Sequence, residues 1–225
     1  MKKLFLLLFF IKNLSAFAQI APQKHINPSF LEHNQDNTFY KNKKIDTAFQ
    51  QQIKIALLFY PELKEAHITF KVKKSKSPLS ARPSIGATFQ KPKNRRYIIV
   101  ISTQTIDRLE PILLKNLSFN AQIGVLGHEL SHVADFQQRK GLYFIKLLMM
   151  HLSQKAIDKF ENETDRRCIE HGLGYQLLAW STEVRQNLRI KQWHGANNTD
   201  GMLERERYMS PQTIEEIMEK MVLYR

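Results

Sequence analysis

Apolar residues recur along this chain with two different periods, and the change of period divides it. From Asp46 the spacing is helical: Phe49, Ile53, Leu57 and Tyr60 follow at three or four residues, and Pro61 stops the run. His67 to Lys73 alternates instead, with Ile68, Phe70 and Val72 on one face and Thr69 and Lys71 on the other, which predicts a half-buried strand. Ser75 to Pro83 reads as a Ser/Pro-rich connection. Ile85 to Phe89 reads as a short strand, at a sheet edge because Pro83 precedes it. RYIIVIS, Arg96 to Ser102, is a continuous apolar run and predicts a buried central strand.

Beyond Ser102 the helical period takes over. Thr105 to Leu117 predicts a helix broken or started at Pro111. Ser118 is the expected N-cap of a long helix from Phe119 to about Gln138. Gly141 interrupts. Leu142 to Phe160 predicts a second, strongly apolar helix running towards a further helical stretch, Glu161 to Cys168. Gly172 and Gly174 punctuate before a helix over Tyr175 to Leu188. Trp193 to Gly201 reads as a polar loop, and Ser210-Pro211 opens a last helix to about Leu223. There is no internal repeat. The predicted class is α+β: a small mixed β-sheet, then one long helix, then a mainly helical C-terminal half.

The first residues are read apart from the fold. Met1-Lys2-Lys3 is a basic start, Leu4 to Ile11 is unbroken apolar, and Ala16-Phe17-Ala18 supplies small residues before Gln19. This is the pattern of a secretory signal peptide over residues 1–18. The apolar run is too short for a bilayer span, which takes roughly 20 residues. The expectation is export to the periplasm or outside of a bacterial cell. Residues 19–45 are polar without period and read as a loosely ordered lead-in or pro-segment, which leaves 46–225 as one domain. A single cysteine, Cys168, fits an oxidising compartment because nothing within the chain can mispair with it.

The chain has 225 residues and carries 34 Lys and Arg against 21 Asp and Glu, a formal charge of +13. In a cell interior that balance would suggest nucleic acid. For an exported chain no nucleic-acid partner is expected, and an anionic membrane surface or an acidic protein is the more natural attraction. The basic residues are spread over Lys41 to Lys44, Lys71 to Lys76 and Lys91 to Arg96, so a solvated basic surface accounts for them most simply.

The chemistry concentrates in Gly127-His128-Glu129-Leu130-Ser131-His132. Two histidines four apart on a helix lie roughly 40° apart around its axis, one turn apart along it. Their imidazoles can meet on one cation, and Glu129 sits beside them within reach of a water. Two neutral imidazoles for zinc and a Glu general base is what an HExxH helix provides. The flanking Val125, Leu126, Leu130, Val133 and Ala134 carry no charge, as a helix packed in a core requires. A catalytic zinc needs a third protein ligand and an open position. Asp135 and Gln138 stand where a metzincin would carry Gly and His, so that solution fails. A carboxylate on a later helix is the other solution. Glu161 and Asp165, four apart on one face of Phe160-Glu161-Asn162-Glu163-Thr164-Asp165, fit as ligand and as acceptor for the free ring N–H of a ligating histidine. Glu163 and Glu170 remain alternatives for the third ligand.

HELSH followed by ENETD resembles the gluzincin metallopeptidases and, within them, is similar to the HtpX/Oma-type family, whose later motif is commonly E-x-E-A-D-R. Thr164 stands here where Ala is usual, and the resemblance covers roughly Ser84 to Leu178. It implies a zincin-like fold, one Zn2+ held by His128, His132 and Glu161, Glu129 as catalytic base, Asp165 behind a ligand, and a protein or peptide substrate. Many members of that family span membranes several times; this chain reads as a soluble, exported branch. Related folds pair an extended peptide with an edge strand above the zinc helix. Ala81 to Phe89, centred on Ser84, Ile85 and Gly86, is the expected strand. His194, Arg205, Arg207, Tyr208 and Tyr175 are candidates for stabilising the oxyanion. The rival from another class is a non-catalytic zincin-like module that binds an anionic surface or a protein partner. His151 and Cys168 read as core or surface residues, His171 as a helix C-terminal cation, and Phe144 to Met150 as core.

Overall fold

The computed structural model describes residues 20–34, 37–45, 48–87, 90–91, 94–139, 153–195 and 206–225. Residues 1–18, most of Leu142 to Phe160, His151, Phe144 to Met150 and Arg205 therefore carry expectations that lie outside the described residues.

Four strands form one sheet: β1 (Lys43–Ile45), β2 (His67–Lys73), β3 (Leu79–Pro83) and β4 (Arg96–Ser102), in the order β1-β2-β4-β3. β1, β2 and β4 are parallel, and β3 runs antiparallel to β4. β4 is interior, as its unbroken apolar run requires, and Tyr97, Ile99 and Ile101 are fully buried. β2 and β4 agree with the predicted strands to the residue.

The third strand is a correction. It is Leu79–Pro83, inside the stretch read as a connection, while of the predicted Ile85 to Phe89 the described residues, Ile85 to Ala87, form a turn and the last two lie outside the described residues. Proline argues against a central strand, yet an edge strand tolerates it because one row of amides needs no partner. Leu79 faces the core, while Ser80 and Arg82 face outward. Ser84 to Ala87 is a turn closed by the Ala87 amide on Ser84 O at 3.0 Å, with Gly86 at φ 82.

The helices are α1 (Phe30–His33), α2 (Gln50–Leu58), α3 (Phe119–Gln138), α4 (Gln154–Cys168), α5 (Gly174–Leu188) and α6 (Pro211–Lys220). Thr105 to Leu117 is not one helix but two short 3-10 turns, Asp107–Ile112 and Leu114–Asn116, separated by an extended Leu113. The Ser118, Ser153 and Ser210 hydroxyls accept from the amides three residues on and cap α3, α4 and α6. Between α4 and α5 the chain widens into a π turn, Ile169–Leu173, where Gly172 takes φ 94.

The lead-in is part of the domain over its described residues from Ile20 to Asn34. Ile26 and Phe30 are buried, and Phe30 stacks on Phe59. The Asn120 side chain accepts from the Ile26 amide at 2.9 Å and donates to the Ile26 carbonyl at 3.0 Å. Two isolated apolar residues give no period, which is why the sequence reads as loose there.

α3 is the axis of the molecule, buried from Asn120 to Phe136. A Cβ on Gly124 would lie 2.1 Å from Gln176 O, so the absence of a side chain lets α5 lie directly on α3. At the other end, the buried Arg95 guanidinium donates to Phe136 O at 2.7 Å and Arg139 O at 2.5 Å, satisfying carbonyls that the helix end leaves open. No described helix is long and apolar enough to cross a membrane.

Candidate metal centre

His128 and His132 sit one turn apart on α3, and α4 brings Glu161 over them. His128 Nε2 and His132 Nε2 are 3.1 Å apart, and Glu161 Oε2 lies 3.2 Å from the first and 3.3 Å from the second. All three side chains are largely withdrawn from water. Glu163 is exposed beside Lys159 and Glu170 is exposed, so neither reaches this group.

What stands behind the ligands decides which lone pairs are free. Asp165 Oδ1 accepts from His128 Nδ1–H at 2.7 Å. Its Oδ2 accepts from the Met209 amide at 2.8 Å, so both oxygens of this buried carboxylate are engaged. His132 Nδ1–H donates to Thr164 Oγ1 at 3.3 Å, and that hydroxyl spends its own proton on Phe160 O at 2.9 Å. With both Nδ1 atoms donating, the two rings when neutral turn their Nε2 lone pairs toward Glu161 Oε2, a buried oxygen with no hydrogen-bond partner. Three converging lone pairs repel one another unless a positive charge lies among them. His128, His132 and Glu161 therefore form a buried group able to bind a metal ion, and the arrangement of donors fits a divalent cation with imidazole and carboxylate ligands.

The electrostatics point the same way. Burial alone would lower the His128 pKa, but Asp165 and Glu161 outweigh it and raise the ring well above its ordinary value. Burial would raise Glu161, but His132 and His128 hold its carboxyl well below the usual range. Positive charge is favoured at this point. Glu129 is the exception. Burial raises its carboxyl, with His132, His128 and the Ala81 amide opposing, and Oε2 has no hydrogen-bond partner. An acid so placed is ready to take a proton.

A cleft of about 440 Å³ opens on the group. Ser80 to Pro83 of β3 form one wall, and Phe136, Ile157 and Phe160 of α3 and α4 form an apolar one. Tyr208 also lines the cleft. Its ring stacks on Trp193, meets Trp180 edgewise and lies tilted against His128, with centroids between 5.6 and 6.0 Å away. Burial, with Glu161, Glu129 and Asp165 nearby, raises the Tyr208 phenol well above its ordinary value, so it stays a neutral donor.

The other oxyanion candidates lie elsewhere. Arg207 Nε donates to Asp158 Oδ1 at 2.7 Å and a second guanidinium nitrogen donates to Gln154. Tyr175 lines a separate cavity with Met218 and Tyr224. His194 is buried beside Gln192 and is not among the residues lining the cleft. Ser84, Ile85 and Gly86 do not line the cleft either. They rim a different cavity with Lys91 and Arg96, because the chain turns away from the sheet after Pro83.

Thr164 and the Met209 amide were missed by sequence reasoning. Thr164 had a readable signal, since it lies three residues after Glu161 on the same helical face. The Met209 amide had none. Comparison of the chain with protein-family models, with curated proteins and with solved structures gave no match.

Proposed function

We propose that this chain is an exported zinc-dependent endopeptidase of zincin-like fold. The observation that carries the reading is Glu129: a buried carboxylate with an unpartnered oxygen, beside two imidazoles and a second carboxylate whose donor atoms converge. A purely binding module has no use for a base held in that position.

A zinc ion held by His128, His132 and Glu161 would supply Lewis acidity towards a peptide carbonyl and make a water at the site more acidic. The chain's own residues do the rest. The free edge of β3 pairs with an extended peptide through main-chain hydrogen bonds and lays it along α3. Glu129 accepts the proton of the attacking water and returns it to the departing amine. Tyr208, kept neutral by burial, donates a hydrogen bond to the developing oxyanion. Asp165 and Thr164 hold the two imidazoles in the tautomers that leave Nε2 free. Phe136, Ile157 and Phe160 offer an apolar seat to a substrate side chain.

The test is Glu129→Gln in the purified chain loaded with zinc. Bound zinc should stay near one equivalent, while casein cleavage falls by about 10³-fold, the range of a lost general base. Cleavage at the wild-type rate would end the peptidase reading. Retained zinc with no cleavage even by the wild type would favour a binding module.

A further inference from the structure

Among the described residues the sheet buries one face, while on the other only Val100 and Ser102 are buried. Register places Lys44, Thr69, Ile98 and Arg82 in one row across all four strands, and Lys71, Val100 and Ser80 in the next. His67 and Arg96 pair before these rows, and Lys73 and Ser102 after them. Lys44, Lys71, Lys73, Arg82 and Arg96 are all exposed, and no acidic residue occupies this face of any strand. None of the five makes an ion pair with a described residue. Residues scattered in sequence thus become an acid-free basic plane, roughly 14 Å wide from β1 to β3 at the usual strand spacing. Ile98 and Val100 lie between the charges, half-buried and buried.

A second feature adjoins it. Just past β3, Ile85 stands at the tip of the Ser84–Ala87 turn with 93% of its surface exposed. It rims a cavity of about 870 Å³ whose lining includes Lys91 and Arg96 and no acid. A large aliphatic side chain held out at the end of a basic plane has nothing to gain from a soluble polyanion. It gains apolar burial from a bilayer, where the plane would meet anionic headgroups.

We infer that the outer face of the sheet, with Ile85 as an apolar tip, docks the protein on an anionic phospholipid bilayer. Arg82 belongs both to this face and to the wall of the cleft, so docking would set the cleft mouth beside the membrane surface. The inference stands whether or not the chain hydrolyses peptides, because its test reads binding alone.

The full chain is sedimented with vesicles of pure phosphatidylcholine and with vesicles in which 40 mole per cent is replaced by phosphatidylglycerol, an assay composition of about that value chosen to give a strong surface potential. The ratio of the two partition coefficients isolates the anionic contribution. Each basic residue near such a surface contributes about fivefold, so the pair Lys71→Gln with Lys73→Gln should lower the ratio about 25-fold. Lys71→Glu with Lys73→Glu should lower it further, and the Gln pair keeps the test open if the Glu pair does not fold. Lys24→Glu with Lys220→Glu changes net charge as much as the β2 Glu pair but lies off the face, at the α5 and α6 side of the molecule, and should move the ratio less than about threefold. Ile85→Ser should weaken binding to phosphatidylglycerol vesicles about tenfold and leave binding to polyphosphate unchanged. The proposal is overturned by a wild-type ratio near one at low salt, by equal losses in the on-face and off-face Glu pairs, or by an Ile85→Ser protein that binds vesicles like the wild type.

Discussion

The two sides of α3 handle buried polar groups in opposite ways. On the back, toward α2 and the π turn, the polar atoms gathered around Tyr60 are closed off. The Tyr60 hydroxyl donates to Gly127 O at 2.6 Å and accepts from Ser131 Oγ at 2.8 Å, and its ring stacks on His171 at 4.3 Å. Gly124 and Gly127 admit neighbours to contact distances no side chain would allow, Gln176 O at one and Leu173 with Cys168 at the other. On the front, His128, His132 and Glu129 are buried and Glu161 partly so, yet they direct lone pairs at one another. A closed network stabilises the helix, whereas an open one is tolerable only where a cation or a substrate completes it. The same helix is a structural beam on one side and carries a group able to bind a metal ion on the other.

The sharpest way to break this comparison is from the back. Gly124→Ala pushes a methyl group into the α5 backbone, which cannot swing aside, and should destabilise the protein by about 3 kcal/mol or more in urea unfolding. Zinc affinity at low temperature should change only as far as the fold loosens. From the front, Thr164→Ala removes the acceptor behind His132 and should weaken zinc binding by about tenfold or more while unfolding of the metal-free protein moves little. Thr164→Ser, which keeps the hydroxyl, should restore the affinity. If Ala and Thr bind zinc equally, the 3.3 Å contact does not orient the ring.

Tyr60→Phe strips the closed network of its hub, leaves Ser131 without its partner, and should lower stability by about 1–2 kcal/mol with zinc affinity unchanged. A loss of zinc affinity there would mean that the two faces are coupled. The smallest effect lies at the rim of the back face, where His171 Nε2–H donates to Glu62 at 2.8 Å. Burial would raise Glu62, but His171 outweighs it and holds the carboxyl below its ordinary value. A carboxylate depressed in the fold adds stability above its unfolded pKa and loses it as pH falls through the folded one. The gap between wild type and Glu62→Gln, at most about 1 kcal/mol at neutral pH for a partly exposed pair, should therefore close between pH 5 and pH 3, roughly the window that linkage allows for a carboxylate. Thermal unfolding across that range measures it.

Much of this was legible in the sequence, and the residues show why. Local period placed β2, β4 and α3 to the residue, and Ser118 and Ser210 cap as their residue type favours, whereas Ser153, read as the interior of a helix from Leu142 to Phe160, caps α4 instead. His128 and His132 needed only a helix to come together. Glu161 and Asp165 needed a helix and a packing partner, and the spacing of four supplied the first. β3 was misread because its prolines and serines resemble a connection, and only its pairing with β4 makes Leu79–Pro83 a strand. Phe30 and Ile26 were misread because an apolar residue without a period shows no face until Asn120 and Phe59 are placed against it.

Sequence alone determined the α+β layout, the helix with its paired histidines and the pair of acids that could complete a metal site, since each depends on residues within a turn or two of each other. Tertiary structure decided which edge faces the cleft, that Tyr208 lines it, that Asp165 reaches the Met209 amide, and that lysines from separate strands form one plane. Those outcomes rest on atoms brought together from distant parts of the chain, and no local period records a distance of that kind.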